Sequence, residues 1–176
     1  DKTGNIYVCG FSGTPYNLGA AVLIKYNNNG DTIWVLSESP TGIRAEFSAM
    51  KIDMSGNIYA TGNYDTVRVI PPIQSYHGFT VEYDSSGKLL WLNRYNIGIS
   101  NSLANIVIDT IGNAYVTGST RSSTTDSKFL TIKYSNVGIQ QWVKFYSGPV
   151  VSSTNAANDI TIDVDRNIYV TGHSVR

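Results

Sequence analysis

The chain of 176 residues has one cysteine, two histidines, no net charge and no long apolar run, and each shortage removes a class of function. Cys9 alone excludes an internal disulfide and any zinc site built on cysteine. It stands where three sister segments carry Thr, has no cation beside it in sequence to activate it, and reads as a small strand residue. His77 and His173 lie far apart, with no Cys or second His at ligand spacing, so no zinc centre is expected. Lys and Arg together number 13, as do Asp and Glu, and like charges form no run. The basic stripe that nucleic acid requires is therefore missing, and with it any general attraction to anionic membranes. No stretch approaches the roughly 20 apolar residues that span a bilayer, so no membrane insertion is expected. Charged residues make up only 15%, which leaves solubility to Ser, Thr, Asn and Gly. No segment carries a helical period of useful length.

What is present is a repeat. Asp1-Lys-Thr-Gly-Asn-Ile-Tyr-Val-Cys-Gly10 recurs as Asp53-Met-Ser-Gly-Asn-Ile-Tyr-Ala-Thr-Gly62. It returns as Asp109-Thr-Ile-Gly-Asn-Ala-Tyr-Val-Thr-Gly118 and as Asp163-Val-Asp-Arg-Asn-Ile-Tyr-Val-Thr-Gly172. Its asparagines, Asn5, Asn57, Asn113 and Asn167, are 52, 56 and 54 residues apart. A second motif interleaves, with Tyr followed by Gly at +4 and Trp at +8: Tyr26, Gly30, Trp34; Tyr83, Gly87, Trp91; Tyr134, Gly138, Trp142. All three tryptophans occupy this slot.

Each unit of about 54 residues holds four short runs rich in Val, Ile, Tyr, Phe, Thr and Trp, with the partial alternation of half-buried strands. In the third unit they are 106–109, 113–118, 129–134 and 141–146. Asp-x-x-Gly-Asn between the first and second runs is turn chemistry, the Asp capping with its carboxylate and the Gly supplying a positive φ. Four antiparallel strands repeated at this period predict an all-β fold of β-propeller blades, stacked so that each sheet buries its neighbour's face and the repeated Tyr and Trp fill the gap. The units are expected at 1–46 (partial), 47–102, 103–156 and 157–176 (partial). A β-solenoid has shorter, parallel repeats and is set aside.

The Asp-x-x-Gly-Asn-Ile-Tyr-Val-Thr-Gly segment, followed by Lys-Tyr-x-x-x-Gly-x-x-x-Trp, resembles the SBBP repeat of bacterial β-propellers and, more distantly, NHL-type propeller repeats. The resemblance covers essentially the whole chain. It departs at Cys9 for Thr, Ala60 for Val, Arg166 for Gly and Glu82 for Lys. Arg166 requires the turn either to hold a non-glycine residue at positive φ or to change type. The resemblance implies a bacterial protein, secreted or at the cell surface, with no shared catalytic residues to carry over.

The strand count is three, four, four and two, about three and a quarter blades, whereas closed propellers use about 4–8. The chain opens without Met and without a signal peptide, and reads as the interior of something longer. Its expected partners are the remaining blades of the same chain or a second copy, although two copies would leave one surplus strand at each junction.

The longer connections share one face, where insertions commonly mark binding. From Gly62 to Tyr83 is 21 residues, against 16 in each sister unit. This segment, 63–77, is read as a loop offering Tyr64, Arg68, Tyr76 and His77, stiffened by Pro71-Pro72, to a glycan, peptide or protein. A plain insertion that covers the blade is the competing reading. Tyr16, Arg44, Glu46, Arg121 and Asp126 belong to the other connections.

The alternating oxygens of Asp163-Val-Asp165-Arg-Asn167 invite a calcium reading, but the stretch lacks the Gly and bidentate Glu of an EF-hand loop. Repeated Asp53, Asn57, Asp109, Asn113, Asp163 and Asn167 read better as structural turn residues, and Trp34, Trp91 and Trp142 as packing residues. No Gly-x-Ser-x-Gly elbow supports a Ser-His-Asp site, and the acids sit in repeated turns instead of converging as a glycosidase pair. The expected function is a non-catalytic module, with no cofactor, for binding or scaffolding. The alternative is a piece of a propeller-type polysaccharide lyase or hydrolase whose site lies in other blades.

Overall fold

Branched and aromatic residues, punctuated by Gly- and Asn-rich turns, fold into thirteen β-strands in four antiparallel sheets among the described residues. The computed structural model describes residues 1–13, 19–39, 44–69, 72–123, 126–149 and 154–175, with backbone alone for 66–69 and 72–74. The first sheet is β1 (Ile6–Gly13), β2 (Gly19–Tyr26) and β3 (Thr32–Glu38). The second is β4 (Ala45–Ile52), β5 (Ile58–Val69), β6 (Pro72–Tyr83) and β7 (Leu89–Tyr95). β8 (Ser100–Ile108), β9 (Ala114–Arg121), β10 (Ser127–Tyr134) and β11 (Gln140–Tyr146) make the third, and β12 (Asn155–Ile162) with β13 (Ile168–Ser174) the fourth. Each strand pairs with its neighbour in sequence, so every sheet is a meander. The expected three, four, four and two strands form. No described helix is long and apolar enough to cross a membrane.

The sheets bury each other in chain order. Tyr7, Ala21 and Leu23 of the first meet Ala45, Phe47, Ile58, Phe79, Val81 and Tyr83 of the second. Tyr59 and Tyr95 of the second pack with Leu103, Ile106, Val116, Leu130 and Ile132 of the third. Val107 and Tyr115 then pack with Ile160 of the fourth. The rings of the repeat sit in these gaps: Tyr7 on Trp34 at 5.9 Å, Tyr59 on Trp91 at 6.2 Å and Tyr115 on Trp142 at 6.1 Å.

One expectation is corrected. The stretch read as a loop over 63–77 is strand, because β5 and β6 stay paired out to Val69 opposite Pro72. Four apolar side chains between Val67 and Ile73, with Tyr64 and Tyr76 flanking them, favour an extended hairpin over a free loop.

The Gly that closes each Val-Thr-Gly has a steric cause. In the second, third and fourth sheets the first strand carries a one-residue bulge opposite this glycine, after Phe47, Leu103 and Ala157. The bulge drives the carbonyl of Glu46, Ser102 or Ala156 to within 1.9, 1.9 and 2.1 Å of where a Cβ would stand on Gly62, Gly118 and Gly172. Gly10 holds the same place in β1, yet a Cβ there meets nothing within 4 Å. Gly118→Ala should therefore cost about 1–3 kcal/mol, while Gly10→Ala leaves stability unchanged or slightly raised, as denaturant unfolding of the two variants will read.

The departure at Arg166 resolves without a change of turn. Arg166 adopts φ 66° and donates its N–H to Asp163 O at 3.1 Å, as Gly112, at φ 84°, donates to Asp109 O at 3.1 Å. A Cβ in this region is strained. Arg166→Gly should raise stability by roughly 0.5–1 kcal/mol, the strain relieved exceeding the entropy added to the unfolded chain. A fall in denaturation midpoint would contradict this account.

Candidate functional site

The turns that lead into β1, β5, β9 and β13 are each held by one carboxylate. In the third sheet Asp109 Oδ1 accepts from the backbone N–H of Ile111 (3.1 Å) and Asn113 (2.9 Å). Its Oδ2 accepts from Asn113 Nδ2 (2.8 Å) and the Tyr115 hydroxyl (3.2 Å). The same bonds recur from Asn5 and Tyr7 to Asp1, and from Asn167 and Tyr169 to Asp163. Above the tyrosine ring sits a lysine, Lys25 of β2 with Nζ at 5.2 Å from Tyr7 and Lys133 of β10 with Nζ at 5.1 Å from Tyr115. Lys25 also donates to Ser85 O of the next sheet at 3.1 Å. Asp163 is thus occupied by its own turn, and among the described residues no three His, Cys, Asp or Glu side chains form a metal-holding group.

The second sheet breaks the pattern at one position. Glu82 replaces the lysine and gathers the surrounding donors to itself. Trp91 Nε1–H donates to its Oε2 and Asn57 Nδ2 to its Oε1 at 3.2 Å, and the Tyr59 hydroxyl turns to it as well. Asp53 keeps the backbone N–H of Ser55 and Asn57, both at 2.8 Å, but loses the Asn and Tyr side chains its sisters hold.

The change opens onto a cleft of about 510 Å³ between the Asp53–Asn57 and Asp109–Asn113 turns. Asp53, Asn57, Tyr59, Glu82, Asp109 and Asn136 are among its polar lining residues, which include no lysine or arginine. Asn136 stands where Ser85 stands one sheet earlier, so the lysine bridge seen between the first two sheets has no counterpart here. Such a lining suits a ligand that presents N–H or O–H donors, above all a cationic amine.

Of the four residues expected to form a binding loop, the hairpin distributes three over two environments. Tyr64 and His77 face each other across β5 and β6 and are buried, their rings 5.8 Å apart. His77 Nδ1 lies 3.2 Å from Asn101 Nδ2, and Asn101 Oδ1 accepts from the Thr120 hydroxyl at 2.7 Å. His77 therefore ties the second sheet to the third, Tyr64 belongs to the core between the first and second, and neither offers a binding surface. Tyr76 is 41% exposed, and the Arg68 side chain, Tyr16 and the hairpin tip with Pro71 lie outside the described residues. Arg44 pairs with Glu46 at 3.1 Å and lies over Phe11 at 4.8 Å. Trp34, Trp91 and Trp142 pack on tyrosines between the sheets. Glu82 was visible in sequence as a broken Lys-Tyr pair, but nothing in one chain's sequence showed which donors it would draw.

Two carboxyls titrate in opposite senses. Burial pushes the Glu82 carboxyl up and the Asp53 charge adds to it, while the hydrogen bonds of Tyr59, Trp91 and Asn57 offset only part. For Asp109 burial also pushes up, but the bonds from Asn113, Ile111 and Tyr115 together outweigh it and hold the group below the usual carboxylate range. The folded state thus favours protonated Glu82, so that contribution is full below about pH 4 and fades as pH rises through its raised pKa. It favours ionised Asp109, whose contribution is present above about pH 4 and lost as pH falls. Melting temperature against pH should therefore lose part of its acid-side drop in Asp109→Asn, and part of its decline above about pH 4 in Glu82→Gln. Parallel curves for wild type and both variants would contradict the assignment.

No family model and no curated protein matches the chain. Among solved structures it is similar to a protein of unknown function from Bacteroides caccae, with a TM-score of 0.52 at 14% identity. The match takes in 93% of this chain and 53% of that protein, so the chain spans about half its length and shares its fold over that half.

Proposed function

We propose that the four sheets are successive blades of a bacterial, exported β-propeller of the SBBP type, and that this part of it is a non-catalytic module for binding a glycan, peptide or protein. Four meanders of one pattern, each burying the face of the next, support the propeller reading. The observation that carries the binding reading is the break at Glu82. Elsewhere the repeat consumes its own polar groups, Asp with Asn and Tyr, Lys with ring and carbonyl. Between the second and third sheets a carboxylate stands where the pattern demands an ammonium group, buried in the wall of a cleft that Asp53 and Asp109 also line. A ligand amine, from a lysine side chain or an amino sugar, supplies the missing charge.

Calorimetric titration with a lysine-rich hexapeptide and with a chitosan hexamer tests this. Binding of one of these probes is expected, weakened at least tenfold by Glu82→Lys, which refills the cleft with the chain's own ammonium group. A tenfold loss corresponds to about 1.4 kcal/mol. Absence of binding to both probes, or equal binding by Glu82→Lys, sinks the reading. Release of unsaturated or reducing sugar ends from a polysaccharide would move the lyase or hydrolase alternative ahead.

A further inference from the structure

Between the first and second sheets the chain itself shows where an ammonium group fits. Lys25 Nζ crosses from β2 to the turn that joins β6 and β7, where it donates to Ser85 O at 3.1 Å. Lys2, Lys25 and Ser55 line the cleft at that junction. At the next junction the matching acceptors are present and the lysine is not. Asn136 lines the second cleft in the place of Ser85, and its carbonyl accepts no hydrogen bond among the described residues. Asp53 serves its turn through Oδ1 alone, so its Oδ2 accepts none either. Glu82 belongs to the same wall.

The rim of this cleft differs from its counterpart as well. Met54 and Ile111 line it and are 79% and 58% exposed. Val137, beside Asn136 in sequence, is 64% exposed. The corresponding places around the first cleft hold Lys2, Ser55 and Ser86. Ile52 and Ile108 add to the apolar lining. Single exposed apolar residues are ordinary on a protein surface. Three around one cleft that has carboxylates and no lysine or arginine make a surface of two chemistries. A lysine side chain has both, an apolar stem of four methylene groups and a charged head. An amino sugar matches less well, because carbohydrate rings lay their C–H faces on exposed aromatic faces. Tyr59, the one ring among the described lining residues, is 2% exposed.

We infer that the ligand of this cleft is a protein segment presenting a lysine between aliphatic side chains. Its ammonium group donates to Asn136 O and Asp53 Oδ2, repeating at the second junction what Lys25 does at the first. Its stem lies along Ile52 and Ile108, and its aliphatic neighbours cover Met54 and Ile111. This rests on the amine-binding reading above and commits it to a peptide over an amino sugar.

Calorimetric titration with three capped pentapeptides tests the assignment: Ser-Leu-Lys-Leu-Ser, Ser-Ser-Lys-Ser-Ser and Ser-Leu-norleucine-Leu-Ser. The first should bind about tenfold more tightly than the second, the factor that burying about two methylene groups supplies. The third has the lysine stem without its ammonium group and should not bind. In a Met54→Ser, Ile111→Ser variant the first peptide should fall to the affinity of the second, which stays unchanged. Both positions are exposed, so its melting temperature should match wild type. Equal binding of the first two peptides, binding of the norleucine peptide, or a double variant that binds as wild type overturns the inference. It falls alone if lysine peptides bind without regard to the rim and Glu82→Lys still weakens them, or if a chitosan hexamer binds and the peptides do not. Silence from the peptides and the chitosan hexamer alike sinks the amine-binding reading with it.

Discussion

A single aspartate carboxylate at the head of each repeat is the point on which the rest of the structure turns. In three of the four repeats its two oxygens satisfy backbone donors two and four residues on, an asparagine amide and a tyrosine hydroxyl, and in the second Asp53 keeps the backbone donors. The first pair folds the chain back, which sets the register of the first two strands. The last bond fixes the tyrosine ring in the gap between sheets, where a tryptophan packs on it, Trp34 on Tyr7 and Trp142 on Tyr115. Local turn, strand register and the filling between sheets are thereby coupled through one group, so the repeat tolerates change poorly at Asp and Asn and better on the strands. Even Arg166 is held to the left-handed conformation because the carboxylate dictates the turn around it.

The period, the turns and the aromatic slots were legible because each is a local rule repeated four times. Strand number and order followed from them, as did the structural use of Asp and Asn. The hairpin from Asn63 to His77 was not legible: Pro71-Pro72 and scattered polar residues suggest a loop, and only pairing across β5 and β6 makes the stretch a strand. Tyr64 and His77 look like binding residues in sequence for the same reason. Their burial depends on Asn101 and Phe79, which come from different strands. The glycine at the end of Val-Thr-Gly was visible, but its cause, a carbonyl pushed forward by a bulge in the preceding strand, is a property of paired backbones.

The slot between tyrosine and tryptophan shows how one frame admits two opposite charges. With lysine in it, the ammonium group rests on the rings and reaches the next sheet, but the indole N–H of Trp34 is left buried without a partner among the described residues. An unmade bond of this kind costs about 1–3 kcal/mol. With glutamate in it, the indole of Trp91 and the hydroxyl of Tyr59 are both satisfied, and the uncompensated term becomes the carboxylate itself, desolvated and close to Asp53. Lysine leaves a donor unmet inside the protein, whereas glutamate leaves a desolvated carboxylate in the wall of a cleft, where the proposed ligand amine would meet it. The same substitution therefore conserves the fold and changes what its surface lacks, and that is why a binding site is sought at the repeat's one inverted charge and not at its most irregular loop.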